Sequence, residues 1–296
     1  MFSSSCFPCY NSNKAIYRLW ANSKVELTDI IEISGGEAFN IVLGQATARV
    51  RYSPGLLAEI ENYGDERISI KVENDEIHIT ATGIPRHAAN PQGSVNATGL
   101  ICSLLAKCIN ISEKDRAQME FVSKILNDYS GGCFGIQNTD DLFGDLTCIN
   151  GIVNTQERKL NLSFDLRFGA SVDVSEMEKR MAEVLSENGF SNKKVAYSPA
   201  FYLPEKDPLV QKTLEVYREF TGNEAAKSSI NAGGTYARFL PYAVEIGTQL
   251  WHKPPFDLPA GHGEVHQPDE YISIEGLMEA IELTVQIIIS IDRIGE

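Results

Sequence analysis

RISIKVENDEIHITAT, residues 67–82, alternates apolar and polar side chains on both sides of Asn74-Asp75. Alternation with a period of two is typical of a β-strand, whose successive side chains point to opposite faces. Asn and Asp tolerate the left-handed backbone that a tight two-residue turn requires. The stretch therefore predicts a β-hairpin in which residues 67–73 pair with residues 76–82.

The rest of the chain alternates between strand-like and helix-like periodicity. Strands are expected at 15–20, 25–33, 47–52, 145–154, 159–168 and 193–197, and helices at 56–63, 92–109, 114–127, 176–188, 207–221 and 274–291. Asp207 and Pro208 are typical of a helix N-cap and first turn, and Gly189 is typical of a helix end. The order predicts a mixed α/β fold class, with a domain boundary near 199–204.

Composition restricts the possible partners and the location. The 296 residues carry a formal net charge of −14, which argues against nucleic acid and anionic membrane surfaces as partners. No apolar run approaches the roughly 20 residues of a membrane-spanning helix. The first residues, MFSSSCFPCYNSNK, lack the basic and apolar regions of a secretory signal. We therefore expect a cytoplasmic protein.

Six cysteines are scattered along the chain and are expected to be reduced and mostly packed. Cys6 and Cys9 form a CxxC, which is compatible with a redox pair or half of a zinc knuckle. It is also compatible with two unrelated residues near a loose terminus. The second interpretation is favoured because no second CxxC accompanies the first.

Five strings in a fixed order carry a resemblance. They are SGGEAFNIV (34–42), GIPRHAANPQGSVNA (83–97), LSFDLRF (162–168), AGGTYAR (232–238) and HQPDEYI (266–272). Together they resemble dipeptidase V-type enzymes of the aminoacylase and carboxypeptidase superfamily of zinc exopeptidases. The resemblance implies a remnant of the catalytic domain at 1–13 and an α+β lid domain of sheets and helices at 14–200. Residues 201–296 would form the C-terminal part of an α/β catalytic domain.

The resemblance also implies roles for two lid residues. The histidine at position 87 would reach the catalytic cleft and stabilise the tetrahedral oxyanion, which is often a large catalytic contribution. The alternative for His87 is a cap on the helix that follows. Asn40 would lie near the scissile carbonyl, and its alternative is a turn residue after a strand.

Other implied roles concern the substrate and the metal. Arg167 would bind the free C-terminal carboxylate of a peptide in a bidentate manner, or would be an exposed strand-end arginine. Gly233, Gly234 and Thr235 would line the cleft at a turn and helix start that favours anions, or would serve chain geometry alone. His266 would be a zinc ligand, and its alternative is a hydrated loop histidine.

Part of the family pattern has no counterpart in this sequence. Family members carry an HxD segment, a bridging aspartate, a Glu-Glu pair and a further aspartate before the lid. In the family, the last of these aspartates lies a few residues before a Phe-Pro or Tyr-Pro dipeptide. If Phe7-Pro8 matches that dipeptide, Ser4 occupies the position of the aspartate. A catalytic zinc site needs about three protein ligands and a base for its water. The resemblance thus implies a truncated metallopeptidase that is inactive unless an N-terminal fragment is supplied in trans. The intact family binds two zinc ions and hydrolyses short peptides with a free C-terminus.

Two other functions remain open at this point. The retained residues His87, Arg167 and Asn40 could bind a peptide without cleaving it. The lid could alternatively serve as an oligomerisation scaffold, because related exopeptidases pair through this domain.

Overall fold

The computed structural model describes residues 7–240, 242–247, 250, 257–259, 269 and 271–294. The chain divides into two compact units. The larger unit is Ala15–Ser198, and the smaller unit combines Met1–Lys14 with Pro199–Glu296. Both units contain strands and helices, so the fold class is mixed α/β, as predicted.

The strands among the described residues are β1 Tyr10–Asn13, β2 Ala15–Ser23, β3 Ile30–Gly35, β4 Gln45–Arg51, β5 Ile68–Glu73, β6 Glu76–Thr82, β7 Thr139–Asp140, β8 Gly144–Asp145, β9 Thr147–Gln156, β10 Lys159–Phe168, β11 Phe190–Ser198, β12 Phe201–Tyr202 and β13 Ser229–Asn231. The α-helices are α1 Pro54–Glu61, α2 Ala97–Leu105, α3 Glu113–Leu126, α4 Val174–Glu187, α5 Pro208–Thr221 and α6 Ile274–Asp292.

The larger unit is built on an eight-stranded sheet with the order β11-β2-β10-β9-β3-β4-β6-β5, in which every pairing is antiparallel. Residues of β2 alternate between buried and half-buried positions. Tyr17, on the buried face, hydrogen-bonds Glu178 of α4, so this face of β2 meets a helix. Arg18 and Trp20 consequently point to the opposite face of the sheet.

The predicted hairpin is confirmed. β5 and β6 pair in register from Ile68↔Ala81 to Glu73↔Glu76. Asn74 and Asp75 have φ angles of 51° and 57°, which is the left-handed backbone of a type I′ turn. The local pattern was sufficient here because the turn and both strands lie within one short stretch.

The strand predicted at 25–33 is wrong in its first half, since β3 begins at Ile30. The buried carboxylate of Asp115, on α3, accepts hydrogen bonds from the backbone N–H groups of Thr28, Asp29 and Ile30. These N–H groups therefore bond to a helix side chain instead of a neighbouring strand. Burial of an aspartate distant in sequence is not visible in the local apolar pattern.

The helix predicted at 92–109 is also too long. α2 starts after Asn96, whose Oδ1 accepts from the N–H groups of Thr98 and Gly99. Gly93 has a φ of 77°, which is incompatible with a helix at that position. The residues before Asn96 thus form turns, and the asparagine serves as the N-cap.

The smaller unit contains a three-stranded sheet among its described residues. β1 lies at its centre, antiparallel to β12 and parallel to β13. Its core includes Val210 and Leu214 of α5 with Leu283 and Ile287 of α6. The predicted start of α5 is confirmed, because the Asp207 side chain accepts from Leu209 N–H at 2.9 Å and Pro208 opens the helix.

The cysteines of the described residues are free thiols, and four of the five are buried. Burial, with a smaller contribution from Glu205, raises the pKa of Cys9 to about 12, so its thiol is poorly reactive. Cys6 lies outside the described residues. No helix of the described part combines the length and apolar character needed to cross a bilayer.

Asp140 is expected to make the free energy of unfolding depend on pH in the acidic range. Burial would raise its pKa, but hydrogen bonds from Phe143, Ser171 and Leu142 outweigh that effect and hold the pKa at about 2. A folded-state pKa below the unfolded value of 3.8 stabilises the fold above pH 4 and ceases to do so as pH falls through 2. Urea unfolding midpoints of wild type and Asp140→Asn should therefore converge between pH 4 and pH 2. A constant difference over that range would contradict the assignment.

Candidate functional site

Two loops, one containing Asn40 and the other containing His87, form a layer over the face of the sheet that carries Arg18. Ile41 and His87 make an antiparallel bridge between the two loops. The N–H of Ala88 donates to the carbonyl of Asn40 at 2.8 Å. Ala88 also packs in a buried apolar cluster with Ile149 of β9, which fixes the loops against the sheet. The fold thus brings Asn40 and His87, which are 47 positions apart in sequence, into contact.

The side chains of Asn40 and His87 lie together, with Asn40 Nδ2 3.0 Å from His87 Nε2. The backbone N–H of Ala89 donates to His87 Nδ1 at 3.1 Å. A neutral imidazole has one acceptor and one donor nitrogen, so this bond leaves the proton on Nε2. In that tautomer Asn40 accepts through Oδ1 after its amide rotates by half a turn. Nε2–H then donates to Asn40 Oδ1, and it reaches a ligand only where the ligand displaces that amide oxygen.

One alternative for His87 is wrong. The cap of α2 is Asn96, and its amide is fixed by Thr98 and Gly99, so His87 does not cap that helix. Asn40 does lie in a turn after β3, as its alternative interpretation expected. A turn position is compatible with a binding role, which remains a prediction for both residues.

Arg167 lies near the end of β10, as predicted, but its side chain is only 2% exposed. The interpretation as an exposed strand-end arginine is therefore wrong. Its Nε donates to Asp165 Oδ1, and its Nη2 donates to Asp165 Oδ2 at 3.1 Å. Asp165 also accepts from Arg18 Nε at 2.6 Å, so two guanidinium groups share one buried carboxylate.

The loop layer and the arginine-bearing strand are connected through Thr147. Thr147 of β9 lies directly opposite Arg167 of β10 in the sheet. Its hydroxyl donates to the carbonyl of Ala88, the residue after His87, at 2.7 Å. The predicted residues of the larger unit, Asn40, His87 and Arg167, are thus parts of one contiguous set of contacts.

The sequence did not identify Arg18, Asp165 or Thr147. Asp165 and Arg167 occupy positions i and i+2 of a strand, which places them on one face, so that part of the cluster could have been inferred. Arg18 depends on the pairing of β2 with β10, where it lies opposite Asp165. That register is a long-range property without a local signal.

The predicted cleft turn lies in the smaller unit and differs from expectation. The helix expected after Gly233 and Gly234 is a four-residue 3₁₀ turn, Tyr236–Phe239, capped by Thr235. The N–H of Gly233 donates to Asn231 Oδ1 at 2.7 Å. This N–H group is therefore hydrogen-bonded within the turn. The expectation that N–H groups at a helix start favour an anion here is not met.

Thr235 instead belongs to a buried polar cluster around Glu245, whose side chain accepts from three neighbours. Asn13 donates to Oε1 at 2.7 Å and Asn231 donates to Oε2 at 3.0 Å. The Thr235 hydroxyl also donates to Oε1. Glu245 is 2% exposed, and these bonds compensate for burying its carboxylate. The cluster connects β1 and β13 to the turn.

The predicted zinc ligand, His266, lies outside the described residues. Within the described ranges, no group of three or more His, Cys, Asp or Glu side chains is arranged to hold a metal ion.

Sequence comparison finds relatives over most of the chain. "Putative dipeptidase SAR1836" of Staphylococcus aureus strain MRSA252 is 27% identical over 304 residues, which cover 96% of this chain and 62% of that protein. "Putative dipeptidase MW1694" of strain MW2 gives the same identity and coverage. The chain therefore spans about three fifths of the length of these relatives. No family model matches the sequence.

Structural comparison finds more distant similarities. An aminoacylhistidine dipeptidase from Vibrio alginolyticus has a TM-score of 0.44 and 12% identity, covering 98% of this chain and 64% of that one. An M20 family metallo-carboxypeptidase from Sulfolobus solfataricus has a TM-score of 0.41 and 13% identity, covering 94% and 59%.

Proposed function

We propose that this chain is a dipeptidase-like protein that binds short peptides with a free C-terminus. The sequence similarity to the Staphylococcus aureus relatives supports the class of substrate. The observation that carries the proposal is the contact set of the larger unit. It joins the Asn40–His87 pair to the arginines around Asp165 through Thr147.

This arrangement provides a hydrogen-bond donor for the peptide carbonyl and guanidinium groups for the C-terminal carboxylate. A peptide carbonyl under attack develops negative charge on its oxygen, and His87 Nε2–H can stabilise that charge when the oxyanion displaces Asn40 Oδ1. A guanidinium binds a carboxylate with two parallel N–H bonds, which explains a requirement for a free C-terminus. His87 and the guanidinium groups around Asp165 lie on the same side of the sheet in the larger unit.

Peptide hydrolysis also requires an activated water molecule. The described residues hold no group of metal-ligating side chains for this purpose. We place the water-activating groups on a fragment supplied in trans, with His266 as the contribution of this chain. Acting alone, the protein would bind peptides without cleaving them.

α6 offers a surface for such a fragment. Ile274, Met278, Ile281, Val285 and Ile288 are between 50% and 82% exposed. Their spacing of four and three residues places them in one stripe along the helix. The charged side chains within α6 are all acidic, at Glu275, Glu279, Glu282 and Asp292. A second copy would bring like charges together, so an apolar partner surface with basic edges fits better.

A non-catalytic peptide-binding module is the second candidate. It is favoured by the fact that the described residues bring the predicted binding groups Asn40 and His87 together. The two candidates differ only in whether a partner restores hydrolysis.

Zinc analysis and peptide titration test the proposal. The purified chain is expected to bind alanyl-alanine with micromolar affinity, to hold zinc below one ion per chain and to release no alanine. Adding the part of the Staphylococcus aureus relative that lies outside the matched region should give chelator-sensitive hydrolysis if the chain is a complementable dipeptidase. Binding without any hydrolysis would favour the binding module. Two bound zinc ions and turnover by the isolated chain would contradict the proposed dependence on a partner.

A further inference from the structure

The outermost strand of the eight-stranded sheet, β5, has a hydrogen-bonded neighbour on one side only among the described residues. That neighbour is β6, and the N–H of Thr82 donates to the carbonyl of Arg67 at 2.9 Å. Backbone groups alternate in direction along an antiparallel strand, so Ile68, Ile70 and Val72 direct theirs away from β6. β5 therefore presents a free edge that can accept another strand.

The side chains at this edge divide into an apolar face and a charged face. Ile68 and Ile70 are half-buried and Val72 is 46% exposed, so the rest of the chain covers the apolar face only in part. On the other face, Arg67 is 42% exposed and Glu73 is 47% exposed. These opposite charges stand at opposite ends of the strand, which makes the edge complementary to an antiparallel copy of itself.

One antiparallel register matches all of these groups. A two-fold axis through Ile70 places the two copies of this residue opposite each other. It also places Ile68 opposite Val72, so that apolar side chains meet on one face. On the other face it places Arg67 opposite Glu73, once on each side of the axis. The residues whose backbone groups point outwards then fall opposite one another, as an antiparallel ladder requires.

The neighbouring registers are less favourable. An axis through Lys71 places two lysines opposite each other, and an axis through Ser69 places Lys71 opposite Arg67. Like charges in directly opposed positions destabilise a sheet. An axis two residues beyond Ile70 places Ile70 opposite Asn74, a turn residue with a φ of 51° that does not continue the strand. Charge and turn geometry therefore select the axis through Ile70.

We propose that a second copy of this chain pairs with the β5 edge about a two-fold axis through Ile70, so that the two sheets become continuous. The pairing occupies β5 of both copies, and association therefore stops at a dimer. One short strand buries less surface than the roughly 800 Å² per partner of a standard interface, and we expect a dissociation constant in the micromolar range. The inference does not depend on the proposed peptide binding.

Sedimentation equilibrium of the whole chain measures this association. Wild type should show a monomer–dimer equilibrium at concentrations up to about 100 μM. Arg67→Glu and Glu73→Arg should each raise the dissociation constant at least about tenfold, because each places like charges opposite one another at two positions of the dimer. The double variant Arg67→Glu/Glu73→Arg restores unlike charges, and its dissociation constant should return to within about threefold of wild type.

Lys193→Glu is the matched control for these variants. Lys193 is exposed on β11, at the opposite edge of the same sheet, and its substitution changes the net charge by the same amount as Arg67→Glu. It should leave the dissociation constant unchanged. Circular dichroism establishes that each variant is folded.

The outcomes decide both the surface and the register. A wild type that stays monomeric over this range would overturn the inference, and so would equal effects of Arg67→Glu and Lys193→Glu. Weakening by both single variants without recovery in the double variant would overturn the register. Should Arg67→Glu not fold, Ile70→Lys replaces it, since it places two like charges on the axis. An unchanged dissociation constant for that variant would then refute the pairing, and a raised one would support it.

Discussion

Replacing Asp165 with alanine is expected to lower the free energy of unfolding by about 3–5 kcal/mol. The side chain of Asp165 is fully buried and accepts hydrogen bonds from both Arg18 and Arg167. Its removal takes away a carboxylate that accepts two hydrogen bonds from the Arg167 guanidinium, itself only 2% exposed. The large cost arises because water cannot replace that carboxylate around a buried cation.

Urea denaturation followed by circular dichroism measures this loss. Asp141→Ala is the control, because Asp141 is an exposed aspartate of the same unit and should change stability by less than about 0.5 kcal/mol. The double variant Asp165→Ala/Arg167→Met removes the buried charge as well. It should be more stable than Asp165→Ala alone. A double variant less stable than the single one would show that the loss has another origin.

The parts of the fold that could be predicted are those encoded within a short stretch. The 67–82 hairpin carries its own turn residues, and Asp207 with Pro208 marks the start of α5 without help from other segments. The errors occurred where a distant residue satisfies the backbone. Asp115 takes the N–H groups that a strand at 25–29 would have used, and Asn96 displaces the start of α2.

The candidate site shows the same division. Asn40, His87 and Arg167 were found because each belongs to a string with a recognisable resemblance. Their environment could not be predicted, since it depends on the bridge between the two loops and on the register of β2 with β10. Arg18 is the clearest example. Its neighbours in sequence are strand residues, and its proximity to Asp165 arises only when the sheet forms.

His87→Ala is expected to weaken binding of a phosphinic dipeptide analogue by about 10- to 100-fold. The phosphinate is tetrahedral and anionic, so it resembles the oxyanion that forms during peptide hydrolysis. Ala89 N–H donates to Nδ1 of His87, so the proton is on Nε2, and we expect the anion to displace Asn40 Oδ1 as the acceptor of Nε2–H. A planar, neutral peptide carbonyl gains less from the same donor. Binding of the parent dipeptide should change by less than about tenfold.

His78→Ala provides the matched control for this titration. His78 is a partly exposed histidine of β6, 3.7 Å from Glu76, and its removal should leave both affinities unchanged.

Asn40→Ala tests the partner of His87 and should reduce the preference for the analogue to a smaller extent, because the imidazole keeps its bond to Ala89. If His87→Ala weakened both ligands equally, the histidine would shape the site without distinguishing the tetrahedral anion. A preference specific to the analogue would place His87 at the developing charge, since a purely structural role cannot separate two ligands that differ mainly in that group.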